Sequence, residues 1–332
     1  MTTTKLPVRR VLLTGAAGFV GFHVANRLLD QGIAVTGVDN LNAYYPVKLK
    51  EERLKRLAAR DGFEFHRIDV SDHEGLKALP AASSAEVVLH LAAQAGVRYS
   101  LENPFAYAQS NLMGHLSILE LVRHAPQKPL LVYASSSSVY GANTKAPFSE
   151  EDRVDNPVSL YAATKRSDEL MSEAYSRLYG MEQIGLRFFT VYGTWGRPDM
   201  AYWSFTQNIL EGKPIRVFNN GDLQRDFTWI DDIVEGVVSV ATKKPASGAA
   251  EKHRVYNIGN NKPEKLMRFI EIVEQAAGRK AKKIFEPMQA GDVHATYANV
   301  DAIARDYGFA PTTSLEQGIP RFVEWYRGYT GL

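Results

Sequence analysis

The first half of the chain alternates short apolar runs with longer stretches whose apolar residues recur at helical spacing, and that alternation leaves few folds open. The runs fall at 10–14, 34–38, 63–68, 87–90, 130–134 and 183–188, each bounded by turn residues. Short runs rich in aliphatic and aromatic residues read as parallel strands buried on both faces. The stretches at 18–31, 47–60, 111–124 and 159–179 carry helical spacing between them. A β-α-β-α order with right-handed crossovers gives an α/β fold built on a doubly wound parallel sheet.

After Phe189 the alternation stops, and residues 193–226 are rich in Gly, Pro, Asn and aromatics around one helix-like piece at 204–211. Helical patterns return at 230–241, 266–277 and 315–328, with short strands near 215–218 and 255–258. This change predicts a second, smaller α+β lobe. Residues 1–190 plus about 224–262 are expected to form the sheet domain, and about 191–223 plus 263–332 the lobe. A chain of 332 residues is long for one core, which agrees with two lobes.

Composition narrows the partners. Lys and Arg total 39 against 37 Asp and Glu, and the +2 balance is spread along the chain, so nucleic acid is not expected. The clusters Arg53/Lys55/Arg56 and Arg279/Lys280/Lys282/Lys283 read as solvated faces. Cysteine is absent and the eight His form no HxxxH pair, so neither a disulfide framework nor a metal site is predicted. The short polar start shows no signal-peptide pattern, and no apolar run reaches the ~18 residues of a membrane span. A cytoplasmic protein is the expectation.

Directly after the first strand comes Thr14-Gly15-Ala16-Ala17-Gly18-Phe19-Val20-Gly21, opening a helix. Glycines there let backbone turn tightly, approach a pyrophosphate and pack helix on strand. Asp39 ends the second strand eighteen residues after Gly21, close to the ~20 expected of a carboxylate that accepts from adenosine ribose hydroxyls. Its charge would repel a 2′-phosphate, so NAD is favoured over NADP in a Rossmann domain. A cap on the next loop is the plainer alternative for Asp39.

Tyr161 and Lys165 stand four apart at the start of a helical pattern and share a face. A free tyrosine titrates near ~10, so a tyrosine base at neutral pH needs a shift of about three units, roughly 4 kcal/mol. A nearby cation in a partly dry site, helped by a positively charged nicotinamide, supplies it. Such a pair alone is commonly structural. Ser135-Ser136-Ser137-Ser138 follows a strand at its carboxyl end, where ligands bind open α/β sheets. Taken singly, each of these serines is an ordinary turn cap.

Together these residues resemble the extended short-chain dehydrogenase/reductase family over nearly the whole chain. Its motifs stand as Gly15/Gly18/Gly21, Asp39, Asp69, His90-Leu91-Ala92-Ala93, Asn111, the serine run and Tyr161/Lys165. Later marks are Arg187-Phe188-Phe189, Arg225-Asp226-Phe227, Asp231-Asp232 and Tyr256-Asn257-Ile258-Gly259. The resemblance implies that Asp69 meets adenine and that Ala92 and Ala93 line the cofactor's phosphate-ribose path. Phe19, Val20, Asn40, Val70, Leu91 and Asn111 would complete the cofactor's surroundings. It also implies that Lys165 meets the nicotinamide ribose, that Tyr161, Lys165 and Ser136 are catalytic, and that Arg225 pairs with a nucleotide diphosphate. A homodimer through the helices around 103–124 and 159–179 is a further implication.

Within that family the chain is similar to the UDP-glucuronate 4-epimerases. The motifs are Asn42-Ala43-Tyr44-Tyr45, Gln94-Ala95-Gly96-Val97-Arg98-Tyr99-Ser100, Trp195-Gly196-Arg197-Pro198-Asp199-Met200 and Gln289-Ala290-Gly291-Asp292-Val293. Thr194 and Ala290 stand where Pro is usual, and neither departure removes a catalytic group. The implied chemistry is reversible oxidation at C4 of a UDP-hexuronic acid, with the keto sugar turning over before hydride returns. The 4-keto acid is prone to lose carbon dioxide, and Ser137, Ser138, Thr190 and Arg197 are expected to hold its carboxylate, with Asp292 also at the substrate. Arg98 stays open between facing the acid and tying two loops.

A 4,6-dehydratase of this kind would carry Asp-Glu at 137 and 138, and a glucuronate decarboxylase Glu at 138. A UDP-glucose/UDP-galactose 4-epimerase shares the Tyr-Lys-Ser machinery and is the main enzymatic alternative. A non-catalytic NAD sensor would be expected to have lost Tyr161 or Lys165.

Overall fold

The computed structural model describes residues 8–248, 251–288 and 294–332. Every apolar run forms a strand: β1 (Arg10–Thr14), β2 (Ala34–Asp39), β3 (Phe63–Arg67), β4 (Val87–His90), β5 (Leu130–Ser136) and β6 (Gln183–Phe188). They are followed by β7 (Thr190–Tyr192), β8 (Pro214–Val217), β9 (Gln224–Trp229) and β10 (His253–Ile258). Seven of these build one parallel sheet in the order β10-β6-β5-β4-β1-β2-β3.

The central strands read as apolar runs because both faces are covered, whereas β3, expected to be buried, lies at the sheet edge with Glu64 and Arg67 exposed. Val11, Leu13, Val87 and Leu89 pack with Val24 and Leu28 of the helix Phe19–Asp30. Leu12, Val88 and Leu131 point the other way, onto Ile118, Leu119 and Val122 of the helix Gly114–His124. From β1 the chain winds outward to β3, then returns to place β4 on the other flank of β1. The crevice at the carboxyl ends of β1 and β4 is therefore a topological switch point.

The helix Leu160–Tyr179 starts at Ser159, whose Oγ accepts from Ala162 N at 3.1 Å, and stops at the left-handed Gly180. That cap fixes Tyr161 and Lys165 in its first two turns. A helix over 111–124 is only partly right. A six-residue π-helical stretch, Ala108–Met113, precedes Gly114–His124 and contains Asn111; the wider turn is a feature periodicity does not reveal.

The remaining strands are β11 (Pro263–Lys265), β12 (Lys282–Phe285) and β13 (Ala295–Thr296). Strand β9 is the centre of the smaller sheet, with β11, β13 and β7 as partners, and β8 pairs with β12. The chain crosses between layers at Trp229, since the next helix, Ile230–Thr242, packs on the helix Phe19–Asp30. Trp203, Phe322, Trp325 and Tyr326 interlock the helices Ala201–Glu211 and Leu315–Thr330.

Candidate active site

A cleft partly open to solvent lies at the carboxyl ends of the central strands. Its floor is the glycine turn with Gly15, Gly18, Phe19, Val20 and Gly21. Gly15 has φ +75°, and a Cβ there would stand 2.7 Å from Ala92 N; one on Gly21 would overlap Gly15 O. The helix Phe19–Asp30 begins at Gly18 with no side-chain cap, which leaves first-turn N–H groups for an anion.

Asp39 lines the cleft while 8% exposed. Its Oδ2 accepts from Ala17 N at 3.1 Å and its Oδ1 from Leu41 N at 2.9 Å, so it both faces the cleft and caps the loop. Burial pushes its carboxyl up, against these donors and the charges of Lys50 and Arg53. Asn40 lines the cleft and donates to Asp69 Oδ2 at 2.7 Å. Asp69 also accepts from Ser71 N and Oγ; burial raises its carboxyl, but these donors hold it below the ordinary value. Asp69 thus stands just behind the wall, while Val70, Leu91, Ala92 and Ala93 are on it.

Ser136, Tyr161 and Lys165 line the same cleft. Lys165 is 3% exposed, and its Nζ donates to Ala134 O at 2.9 Å and Asp168 Oδ2 at 3.0 Å. Burial pushes the Asp168 carboxyl up to about 6 against the pull of Lys165. The Tyr161 ring meets Tyr107 edge-on with centroids 6.0 Å apart. Ser136 Oγ accepts from Ser138 N at 3.2 Å, and a hydroxyl used as acceptor keeps its own proton for another partner. Asn111 is buried behind them: its amide accepts from Gln94 N and donates to Gln94 O and Thr164 Oγ1, so it positions the wall without lining it.

Ser137 and Ser138 open the 3₁₀ turn Ser137–Tyr140, and Thr190 begins β7. Arg197 lines the cleft in a bidentate pair with Asp199, Nε to Oδ1 at 3.0 Å and Nη2 to Oδ2 at 2.5 Å. Tyr44 Oη donates to the same Asp199 at 3.1 Å. Arg225 Nη1 donates to Gln224 O and His294 O. The Arg98 guanidinium stacks on the Phe218 ring at 4.9 Å, beside Arg216 on the same ring, so it ties two loops. Asp292, with its motif at 289–293, lies outside the described residues.

Sequence reasoning missed Lys50 and Arg53 on the helix Val47–Ala58. Lys50 lines the cleft, 5% exposed, and donates to Asn42 O at 2.9 Å and Oδ1 at 2.8 Å. Arg53 was expected on a solvated face with Lys55 and Arg56; it is fully buried, while those two are exposed. The available signal was the apolar spacing of Leu49, Arg53 and Leu57, which places Arg53 on the buried stripe. Among the described residues no group of His, Asp and Glu is placed to hold a metal ion, and no helix is long and apolar enough to cross a membrane.

The profile of the NAD dependent epimerase/dehydratase family matches residues 11–259. The chain belongs to that family. A probable UDP-glucuronate 4-epimerase of Rhizobium meliloti (strain 1021) is 47% identical, the alignment covering 96% of each chain. The crystal structure of a UDP-glucuronic acid 4-epimerase from Bacillus cereus, in complex with UDP-glucuronic acid and NAD, superposes with a TM-score of 0.87 at 31% identity. That match covers 96% of this chain and 99% of the other. A UDP-glucose 4-epimerase from Thermotoga maritima with UDP-glucose follows at 0.86 and 29%, covering 97% and 99%. The seven-stranded parallel sheet is thus the one the alternating sequence implied.

Proposed function

We propose that the protein is an NAD-dependent isomerase that interconverts UDP-glucuronate and UDP-galacturonate at C4. The observation that carries this is the meeting of Ser136, Tyr161 and Lys165 with the glycine turn and Arg197 in one cleft. The turn fits a dinucleotide, since added Cβ atoms at Gly15, Gly18 and Gly21 would fill the cradle. Gly15, Gly18, Phe19, Val20 and Gly21 hold its pyrophosphate, and Asp39 takes the adenosine ribose. Asn40, Asp69 and Val70 surround adenine, Leu91, Ala92 and Ala93 flank the path onward, and Asn111 supports that wall.

When bound, NAD supplies the acceptor and donor of the C4 hydride. Tyr161 Oη takes the proton of O4 and later returns it. Lys165, pinned by Ala134 O and Asp168, keeps a positive charge beside the phenol and reaches the nicotinamide ribose. Ser136 donates its hydroxyl proton to O4, its oxygen being already oriented by Ser138 N. The cleft would give the ketone room to turn, so that its other face would meet the returning hydride with no net redox change.

The acid sugar adds a demand, because a β-keto acid decarboxylates when its C5–C6 bond aligns with the carbonyl π system. Ser137, Ser138, Thr190 and Arg197 hold the carboxylate out of that alignment. Asp199 occupies two of the five Arg197 N–H donors, leaving others for the substrate. No carboxylate stands at 137 or 138 to eliminate water. Arg225 is assigned to the diphosphate, Asp292 to the substrate end, and Arg98 to bracing the Phe218 wall.

Exposed Leu101, Phe105, Met113 and Leu170, on neighbouring helices, support a homodimer through this face. A cysteine-free chain acting on a nucleotide sugar fits the cytoplasm. Incubation of the purified protein with UDP-glucuronate should yield UDP-galacturonate by chromatography. Epimerisation of UDP-glucose with the acid sugar untouched would overturn the assignment.

A further inference from the structure

Arg53 is a buried cation that no carboxylate among the described residues touches, Asp39 acting on it only at longer range. It is 0% exposed, and its hydrogen bonds among the described residues go to carbonyls and one phenol, none to a carboxylate. A charge so placed costs several kcal/mol unless its donors are satisfied. All five are. Nη1 donates to Ala17 O and to Tyr45 Oη, each at 2.8 Å. Nε donates to Trp195 O at 3.1 Å, and Nη2 donates to Trp195 O at 2.6 Å and Gly196 O at 2.7 Å.

Apart from Tyr45, these acceptors belong to two separate segments that run into the cleft lining. Ala17 lies inside the glycine turn, whereas Trp195 and Gly196 immediately precede Arg197. Trp195 has φ +56°, a left-handed conformation that a bulky residue keeps only when its surroundings over-determine it. Its carbonyl is held by the fork. Its ring lies between Phe22 and Trp325, with centroids at 5.8 and 5.3 Å, and the Arg56 guanidinium covers it at 4.5 Å. A Cβ on Gly196 would overlap Tyr202 Oη, which accepts from Arg197 N at 3.0 Å. The backbone that aims Arg197 is therefore clamped from Arg53 onward.

We propose that Arg53 is a positioning residue that braces the Arg197 loop against the glycine turn, so that the acid-recognising and cofactor-holding ends of the cleft are set as one unit. The planar fork is what permits it, since a point charge cannot span both segments. The inference rests on the carboxylate role given to Arg197 above.

The test compares KM for UDP-glucuronate with the competitive Ki of UDP, which lacks the acid sugar. Arg53→Met should raise the KM about tenfold, as for loss of one well-aimed charged contact, and leave the Ki within about twofold. Arg197→Ala should do the same, and the double variant should be no worse than Arg197→Ala alone. Equal rises in KM and Ki for Arg53→Met, or independent addition of the two effects, would overturn the brace. A silent Arg197→Ala would overturn the carboxylate assignment first, and the brace with it. If Arg53→Met does not fold, Arg53→Lys keeps charge and stem; the same KM rise is expected, and a wild-type KM would refute the bracing geometry.

Discussion

Glu169→Gln should be among the most damaging substitutions that leave the cleft surface untouched. Glu169 lies one turn beyond Lys165, and its side chain is 1% exposed. Oε1 accepts from Arg187 Nε at 2.9 Å and Ser135 Oγ at 2.6 Å; Oε2 accepts from Arg187 Nη2 and Arg166 Nη1, both at 3.0 Å. Arg187 is 4% exposed and also donates to Tyr140 Oη. The pair therefore fastens the Tyr161/Lys165 helix to the strands that carry Ser135 and Arg187. Glutamine keeps the volume but strands a buried guanidinium, a change that costs about 3–5 kcal/mol. Against a total stability of roughly 5–15 kcal/mol that loss is readily measured. Urea unfolding followed by tryptophan fluorescence reads it, and Arg187→Met in the same background should recover most of the loss. Burial pushes the Glu169 carboxyl up, but Arg187, Ser135 and Arg166 hold it below the ordinary value. Its contribution is thus present above ~4.5 and fades as pH falls below that. A loss under about 1 kcal/mol, or a double variant no more stable than the single, would refute the reasoning.

Other outcomes follow from the same contacts. Tyr161→Phe should retain bound NAD yet lower turnover at least about a hundredfold, measured as UDP-galacturonate formed per minute. Gly21→Ala forces a Cβ into Gly15 O, so the purified protein should lose most of its NAD, read from its absorbance ratio. Burial raises the Glu274 carboxyl, but Lys283, Lys280 and Ala281 N bring it down to about 2. Glu274→Gln should therefore destabilise most at neutral pH, and the difference from wild type in urea midpoint should close as pH falls from about 5 towards 2.

The legible parts of the molecule are those fixed by local pattern. Doubly covered strands are apolar on both faces, so 87–90 and 183–188 appear in the structure with the bounds their sequence implied. Glycines that no Cβ can replace mark the turn, and four-residue spacing puts Tyr161 and Lys165 on one helix face. What the pattern hid is long-range. Arg53 and Lys50 belong to a charged helix; apolar spacing puts Arg53 on its buried stripe, but only packing against residues 142 positions away shows what its guanidinium meets. Asn111 sits in a π-helical turn whose extra residue leaves no mark on apolar spacing. Arg98 finds Phe218 far along the chain, a contact no local pattern reveals.

The most direct test of the account uses UDP-glucuronate carrying deuterium at C4. Oxidation and return at one carbon within a closed site should give UDP-galacturonate that keeps its C4 deuterium, with no pentose nucleotide. Loss of the label to solvent, or release of carbon dioxide as the main outcome, would contradict it.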